Sequence, residues 1–464
     1  MTVHGVYPEW NEGFRMTKRR SMTLKISISG IRGIAGGSLS DNVISDFSKA
    51  FAAYIKKGTI VAGRDPRASG EKIKDIVISN LNSMGLDVIY LGICPTPTVQ
   101  LMVKELKADG GIIITASHNP GQWNGLKFVR KDGIFLNKDE AEDLIGIYEN
   151  KSFNPLGKKG SSRLQANPLD PHVNKVLKCI DVQSIRKRKF KVALDSCNGA
   201  GSVITVKLLK ELGCEVIELY TDTKKPFPHN PEPIPANLNS LCEKVKAAGA
   251  DIGFAQDADA DRLAVVTEKG VAPGEEYTLA IAAEHILSKN RVSGLKVVTN
   301  LSTSMMVDDI AKKYGAKVIR TRIGEVNVAE EMVKQKAVIG GEGNGGVMYP
   351  KVGYSRDSLI GIGIILDSLS SSDKTISQVI ESLPRYFIVK EKIDCASKDE
   401  AAAFLDKVVA TFKGESIDRT EGIKVVLKNA WIHVRASNTE PVIRVIAEAE
   451  TQNKARELIK RIAG

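Results

Sequence analysis

A chain of 464 residues with a formal net charge of +11, 42% hydrophobic and 26% charged residues is too long for one core, since domains usually hold ~100 to 150 residues. Three or four domains are expected, and the composition excludes a collagenous, low-complexity or wholly disordered polypeptide. The excess of 66 Lys and Arg over 55 Asp and Glu suits nucleic acid, an anionic membrane surface or phosphorylated small molecules, but most basic residues are interspersed with acids, as on a solvated surface.

Residues 1–21 show no clear periodicity and carry the basic run Lys18, Arg19 and Arg20, so they are expected to form an extension outside the fold. The segment SISGIRGIAGG (27–37) follows, setting Arg32 among glycines as a candidate anion contact or a structural turn. A pattern then appears that recurs three times: a β-branched run, a polar loop, an amphipathic helix, a Gly and a second strand. Its instances span 59–92, 191–220 and 296–324 and end in MGLDVIY, LGCEVIE and YGAKVIR. The shared Gly can end the helix in the left-handed conformation before an extended run, and the succession predicts parallel crossovers in three similar α/β domains. Within the first, GRDPRASG (63–70) reads as mainly structural, with Asp65 and Arg67 available for a buried pair. From about Tyr386 the pattern changes to a strand, a helix, adjacent strands and a last helix, which predicts a C-terminal α+β domain. Cys94, Cys179, Cys197, Cys214, Cys242 and Cys395 form no CxxC pair and read as reduced thiols rather than a disulfide framework or zinc site. No apolar run approaches the ~18 residues of a membrane span and no secretory apolar region opens the chain, so a cytoplasmic protein is expected.

Ligands of open α/β sheets bind beyond the carboxyl ends of the strands, and four loops stand there. In GGIIITASHNPGQWNGLKF (110–128) an apolar strand runs into Ser117 and His118, a hydroxyl beside an imidazole. That suits an activated nucleophile or phosphoryl acceptor, although an Asx-type turn uses the same residues. Lys127, after a turn at Asn124 and Gly125, is placed to reach back to this loop. In AQDADADRLAVV (255–266) Asp257, Asp259 and Asp261 alternate, so an extended segment would put their carboxylates on one side, suited to Mg²⁺. A calcium-binding EF-hand competes, with Glu268 at its twelfth position, but Arg262 stands where its tight turn needs Gly and the flanks read as strands. IGGEGNGGVMYP (339–350) offers Glu342 and Asn344 among glycines, able to bond hydroxyls, or a plain hairpin turn. VRASNTEPVIRV (434–445) gathers Arg435, Ser437, Asn438 and Thr439, with Arg444 on the following strand, which suits a dianionic phosphate or a turn between antiparallel strands.

Taken together, the Gly-rich start with Arg32, TASHNP with Lys127, DADADR, GEGNGG and RASNTEP with Arg444 resemble the α-D-phosphohexomutase superfamily over residues 21–464, in the order found there. The resemblance implies three similar mixed α/β domains plus a C-terminal α+β domain around a central cleft. The boundaries it suggests are 22–165, 166–268, 269–383 and 384–464. It further implies that Ser117 carries the transferable phosphoryl group, that Asp257, Asp259 and Asp261 with Ser117 hold Mg²⁺, and that His118, Lys127 and Arg32 support the transfer. Glu342 and Asn344 would meet the sugar; Arg262, Arg435, Ser437, Asn438, Thr439 and Arg444 would complete substrate binding. Asn344 with Gly345 and Gly346 resembles the archaeal-type phosphoglucosamine mutases, so glucosamine phosphates are the first expectation and mannose or glucose phosphates the second. The expected protein is a monomer or homodimer acting on hexose phosphates, without a nucleic-acid or membrane partner. Two other classes stay open: a phosphatase, which would release free phosphate, and a calcium or nucleic-acid binder, which has no need of a phosphorylated Ser117.

Overall fold

The computed structural model describes residues 24–155, 157–290, 292–395, 397–436 and 442–463. The extension expected at 1–21 lies outside them. The chain divides into two compact units, the first built from the chain up to Lys178 with Ile185–Glu275, the second from Cys179–Ser184 with the chain from Glu276 onward.

The first unit contains two sheets. In the larger, the strands Lys25–Ser27, Gly30–Ile34, Trp123–Arg130, Gly110–Ile114, Thr59–Arg64, Asp87–Ile93 and Ser162–Leu164 lie side by side in that order. The last four are mutually parallel, and Trp123–Arg130 turns the sheet antiparallel. The helix Asp41–Ile55 covers one face because Ile44, Phe47 and Phe51 recur at helical spacing, and the Ser40 hydroxyl accepts the Val43 N–H at its start. Phe51 meets Phe128 of the sheet with ring centroids 4.9 Å apart. The smaller sheet orders Leu263–Thr267, Ile252–Gln256, Lys191–Asp195 and Glu215–Leu219.

In the second unit, Lys317–Thr321, Lys296–Asn300, Ile339–Glu342 and Gly346–Met348 form a mixed sheet of the same build. A five-stranded antiparallel sheet follows, ordered Phe387–Asp394, Val442–Ala449, Ala430–Ala436, Ile423–Leu427 and Ser416–Asp418. All three expected parallel pairs are present, and the C-terminal grammar is α+β as read from the sequence. In each mixed sheet a buried parallel strand ends in a short loop that returns as an antiparallel strand: Gly110–Ile114 to Trp123–Arg130, Ile252–Gln256 to Leu263–Thr267, and Ile339–Glu342 to Gly346–Met348. The three candidate loops are these returns. Among the described residues no helix is long and apolar enough to cross a membrane, and the six cysteines are free thiols.

Candidate active site

Ser117 follows the fully buried strand Gly110–Ile114 and is only 2% exposed. Its φ is +51°, a left-handed conformation uncommon for a residue with a side chain. The Ser117 N–H donates to the Thr115 hydroxyl at 2.9 Å, and the Ser117 Oγ donates to Asp257 Oδ2 at 3.1 Å. His118 Nδ1 lies 3.5 Å from the same Oγ, so the adjacent hydroxyl and imidazole do face one another, at the limit of hydrogen bonding. Arg32, on Gly30–Ile34, donates from Nη1 to Asn119 Oδ1 at 3.5 Å.

Asn124 and Gly125 belong to the strand Trp123–Arg130 and form no turn, contrary to the sequence reading; the chain reverses before them. Register then puts Lys127 opposite Ile113, and its Nζ donates to Asp259 Oδ2 at 2.6 Å and Asp261 Oδ2 at 3.5 Å. The lysine therefore meets the aspartates, 132 residues further along the chain.

The aspartate loop is a tight turn, where the alternation of acids suggests an extended segment. Ala260 has φ +55°, and Asp257 Oδ1 accepts the N–H groups of Asp261 and Arg262, each at 3.1 Å. Turning, rather than pleating, gathers oxygens of Asp257, Asp259 and Asp261 within 4.8 Å of one another, and all three residues are buried. Burial and then the neighbouring carboxylates of Asp261 and Asp259 push Asp257 well above the ordinary carboxylate range. Burial also opposes ionisation of Asp259, but the Lys127 ammonium and hydrogen bonds outweigh it and hold that carboxyl low. Thr96 donates from Oγ1 to Asp259 Oδ2 at 2.6 Å, while Asp259 Oδ1 is buried with no hydrogen-bond partner among the described residues. Clustered acids with an unsatisfied oxygen and hard donor atoms fit a small divalent cation. An EF-hand does not fit, because strands flank the loop. Arg262 donates from Nη1 to Glu232 Oε1 at 3.3 Å.

In the second unit, Glu342 ends its strand 3% exposed. Its Oε1 accepts from Asn300 Nδ2 at 2.8 Å and the Gly324 N–H at 3.1 Å, and its Oε2 from Arg356 Nη1 at 2.9 Å. Arg356 Nε also donates to Glu325 at 3.1 Å, so two carboxylates share one guanidinium. Gly346 makes room for this arginine, since a Cβ there would overlap its Cδ and Cγ. Asn344 donates to Glu342 Oε2 at 3.4 Å, and its buried Oδ1 has no partner among the described residues.

Arg435 and Arg444 stand directly opposite each other on adjacent strands, where like charges repel unless an anion intervenes. Arg435 pairs with Glu421 at 3.5 Å, and its buried Nε lacks a partner among the described residues. Ser437, Asn438 and Thr439 lie outside the described residues.

The sequence reading missed Thr96, Glu232 and Arg356. Arg356 and Asp357 directly precede the apolar run of helix Ser358–Ser370, where Asp357 accepts the Leu359 N–H. The helix-capping acid was a visible signal, but nothing local connects the arginine beside it to Glu342.

Four family profiles match successive parts of the chain: phosphoglucomutase/phosphomannomutase alpha/beta/alpha domain I over 24–155, domain II over 170–270, domain III over 274–387 and the C-terminal domain over 388–464. A "Phosphoglucomutase/phosphomannomutase" of Thermococcus kodakarensis is 38% identical, the alignment covering 93% of this chain and 96% of the relative. A "Probable phosphoglucosamine mutase" of Methanopyrus kandleri is 34% identical over 93% of this chain and 95% of the relative. The crystal structure of a phosphoglucomutase/phosphomannomutase family protein from Burkholderia thailandensis superposes with a TM-score of 0.83 at 26% identity, covering 95% of this chain and 97% of that one.

Proposed function

The chain belongs to the phosphoglucomutase/phosphomannomutase family, whose members are isomerases acting on sugar phosphates, and from that premise we propose that it interconverts hexose 6-phosphates and hexose 1-phosphates through a phosphorylated Ser117. The observation that carries this reading is the placement of the Ser117 hydroxyl 3.1 Å from Asp257 within a buried carboxylate triad. Phosphoryl transfer asks little covalent chemistry of a protein and depends on positioning and charge neutralisation. Asp257, Asp259 and Asp261, with Ser117, would hold Mg²⁺, which when bound neutralises charge on the phosphoryl oxygens.

In the proposed cycle the bond from Ser117 Oγ to phosphorus breaks as a hydroxyl oxygen of the hexose monophosphate bonds to phosphorus. The hydroxyl proton passes to a base of the site, and a bisphosphorylated hexose forms. It turns end for end, its other phosphoryl group passes to Ser117 Oγ, and the sugar oxygen left behind takes the proton back from that base. His118 and Arg32 border the serine loop, while Lys127 bonds the aspartate loop. Incubating the phosphorylated protein with a hexose monophosphate and following intact mass tests the cycle. An isotopically labelled phosphoryl group on Ser117 should pass to the sugar and be replaced by an unlabelled one, so that the protein stays phosphorylated while isomerised sugar phosphate, and no free phosphate, accumulates.

Arg435, with Arg444, Ser437, Asn438 and Thr439, is assigned to the phosphate that is not reacting. The facing arginines support this, since a dianion between them relieves their repulsion and can satisfy the Arg435 Nε. Charge-assisted bonds are worth ~1.5 to 3 kcal/mol, so Arg435→Ala should raise the Michaelis constant roughly 10- to 100-fold. Phosphorylation of Ser117 should persist, and escaping bisphosphate should produce a lag relieved by adding it. An unchanged Michaelis constant and no lag would leave this loop a turn.

Glucosamine 6-phosphate is assigned as the first substrate, glucose and mannose 6-phosphates as the second. The buried Asn344 Oδ1 accepts no bond among the described residues, and Glu342 and Glu325 make the surroundings acidic, which suits an ammonium donor. Turnover on the three phosphates should be highest with glucosamine 6-phosphate. Failure to use it would reassign the sugar and leave the mutase class intact.

A further inference from the structure

The Asp65 and Arg67 pair expected from the sequence is present, its side chains fully buried and 2.8 Å apart. An ion pair, however, occupies only one edge of a guanidinium. The other donors of Arg67 all point into the serine loop: Nη2 to the carbonyl of Ser117, and Nη1 to the carbonyls of Pro120 at 2.6 Å and Trp123 at 3.1 Å. Asp65 Oδ2, which receives Arg67 Nε, also receives the Thr115 hydroxyl at 2.6 Å, and the Thr115 oxygen in turn accepts the Ser117 N–H at 2.9 Å. One carboxylate thus orients the two groups that hold the N–H and the C=O of Ser117. The frame behind it is the sheet, since the Asp65 N–H donates to the Ile114 carbonyl at 3.1 Å. Phe227 covers the outer face of the guanidinium, its ring centroid 4.9 Å from Arg67 Cζ.

We propose that Arg67, anchored by Asp65, is a positioning residue for phosphoryl transfer: it holds Ser117 in the left-handed conformation that turns its Oγ toward Asp257. This deepens, and rests on, the phosphohexomutase reading. A serine adopts positive φ only where its surroundings enforce it, and here both of its peptide groups are enforced. A planar fork reaches three carbonyls and a carboxylate at once; a lysine at the same place keeps the charge beside Asp65 and loses the fork.

The test is single-turnover phosphorylation of Ser117 by a hexose 1,6-bisphosphate, read by intact mass, alongside kcat, KM and melting temperature. Arg67→Lys should slow Ser117 phosphorylation and kcat by about 100-fold, with KM nearly unchanged, as expected when a reacting group is misplaced by about an ångström. Thr115→Val, which replaces the hydroxyl with a methyl group of similar size, should act in the same direction, and Thr115→Ser, which keeps the hydroxyl, should retain the parent rate. A folded Arg67→Lys that is phosphorylated at the wild-type rate overturns the proposal. If Arg67→Lys does not fold, Thr115→Val decides, and a wild-type rate there overturns it equally. Failure of the phosphohexomutase reading shows separately, as a wild-type protein that isomerises no hexose phosphate.

Discussion

Ser117→Ala is expected to lose hexose phosphate isomerisation by roughly three or more orders of magnitude, because a covalent carrier has no substitute within the loop. The change removes a single oxygen. Among the described residues that oxygen donates to Asp257 at 3.1 Å and lies 3.5 Å from His118 Nδ1, while the backbone bonds that shape the loop remain. The variant should therefore fold with a melting temperature near that of the parent. Intact mass should show no phosphate after incubation with hexose 1,6-bisphosphate. Wild-type turnover from a verified Ser117→Ala preparation would remove Ser117 as the carrier and return the loop to a structural turn.

Asp259→Asn should abolish Mg²⁺-dependent turnover and weaken Mg²⁺ binding itself. The substitution keeps the side-chain shape, so what changes is charge and donor chemistry. Asp259 Oδ2 receives Lys127 and Thr96, leaving Oδ1 as the oxygen that no described residue satisfies. With an amide there, a small hard cation loses a carboxylate ligand and Lys127 loses its nearest partner. Those two losses separate in a binding measurement. The parent should gain melting temperature as Mg²⁺ is added, as mass action requires of a ligand that binds only the folded state, and Asp259→Asn should not. An equal Mg²⁺-induced shift in the two proteins, or full parent activity after exhaustive chelation, would sink the metal assignment.

What was legible in the sequence was whatever is encoded within a few residues of itself. The strand-to-loop transitions at Ile114, Gln256 and Glu342 showed as apolar runs broken by polar or glycine-rich segments, and the structure places all three loops at carboxyl ends of buried strands. The switch to antiparallel pairing after Tyr386 showed as strands separated by short turns. Local readings failed where a turn imitates a strand or a strand imitates a turn. The acids at 257, 259 and 261 alternate as in a strand, yet a left-handed Ala260 bends them into a turn. Asn124 and Gly125 have turn composition, yet their backbone groups are committed to pairing with Arg32 and Gly33.

The order of the elements, the family to which the chain belongs and the chemical type of each loop can all be read along the chain. Which of those groups meet depends on how the elements pack. Sheet register faces Lys127 with Asp259, and packing of helix Thr96–Glu105 brings the Thr96 hydroxyl to the same carboxylate. Burial next to Asp65 turns Arg67 from a surface cation into a clamp on three carbonyls, and the space left by Gly346 lets Arg356 reach Glu342. The physical reason is common to these cases. A buried polar group must find its partner wherever the fold has placed one, because leaving it unsatisfied is costly, and no spacing along the chain records where that partner lies.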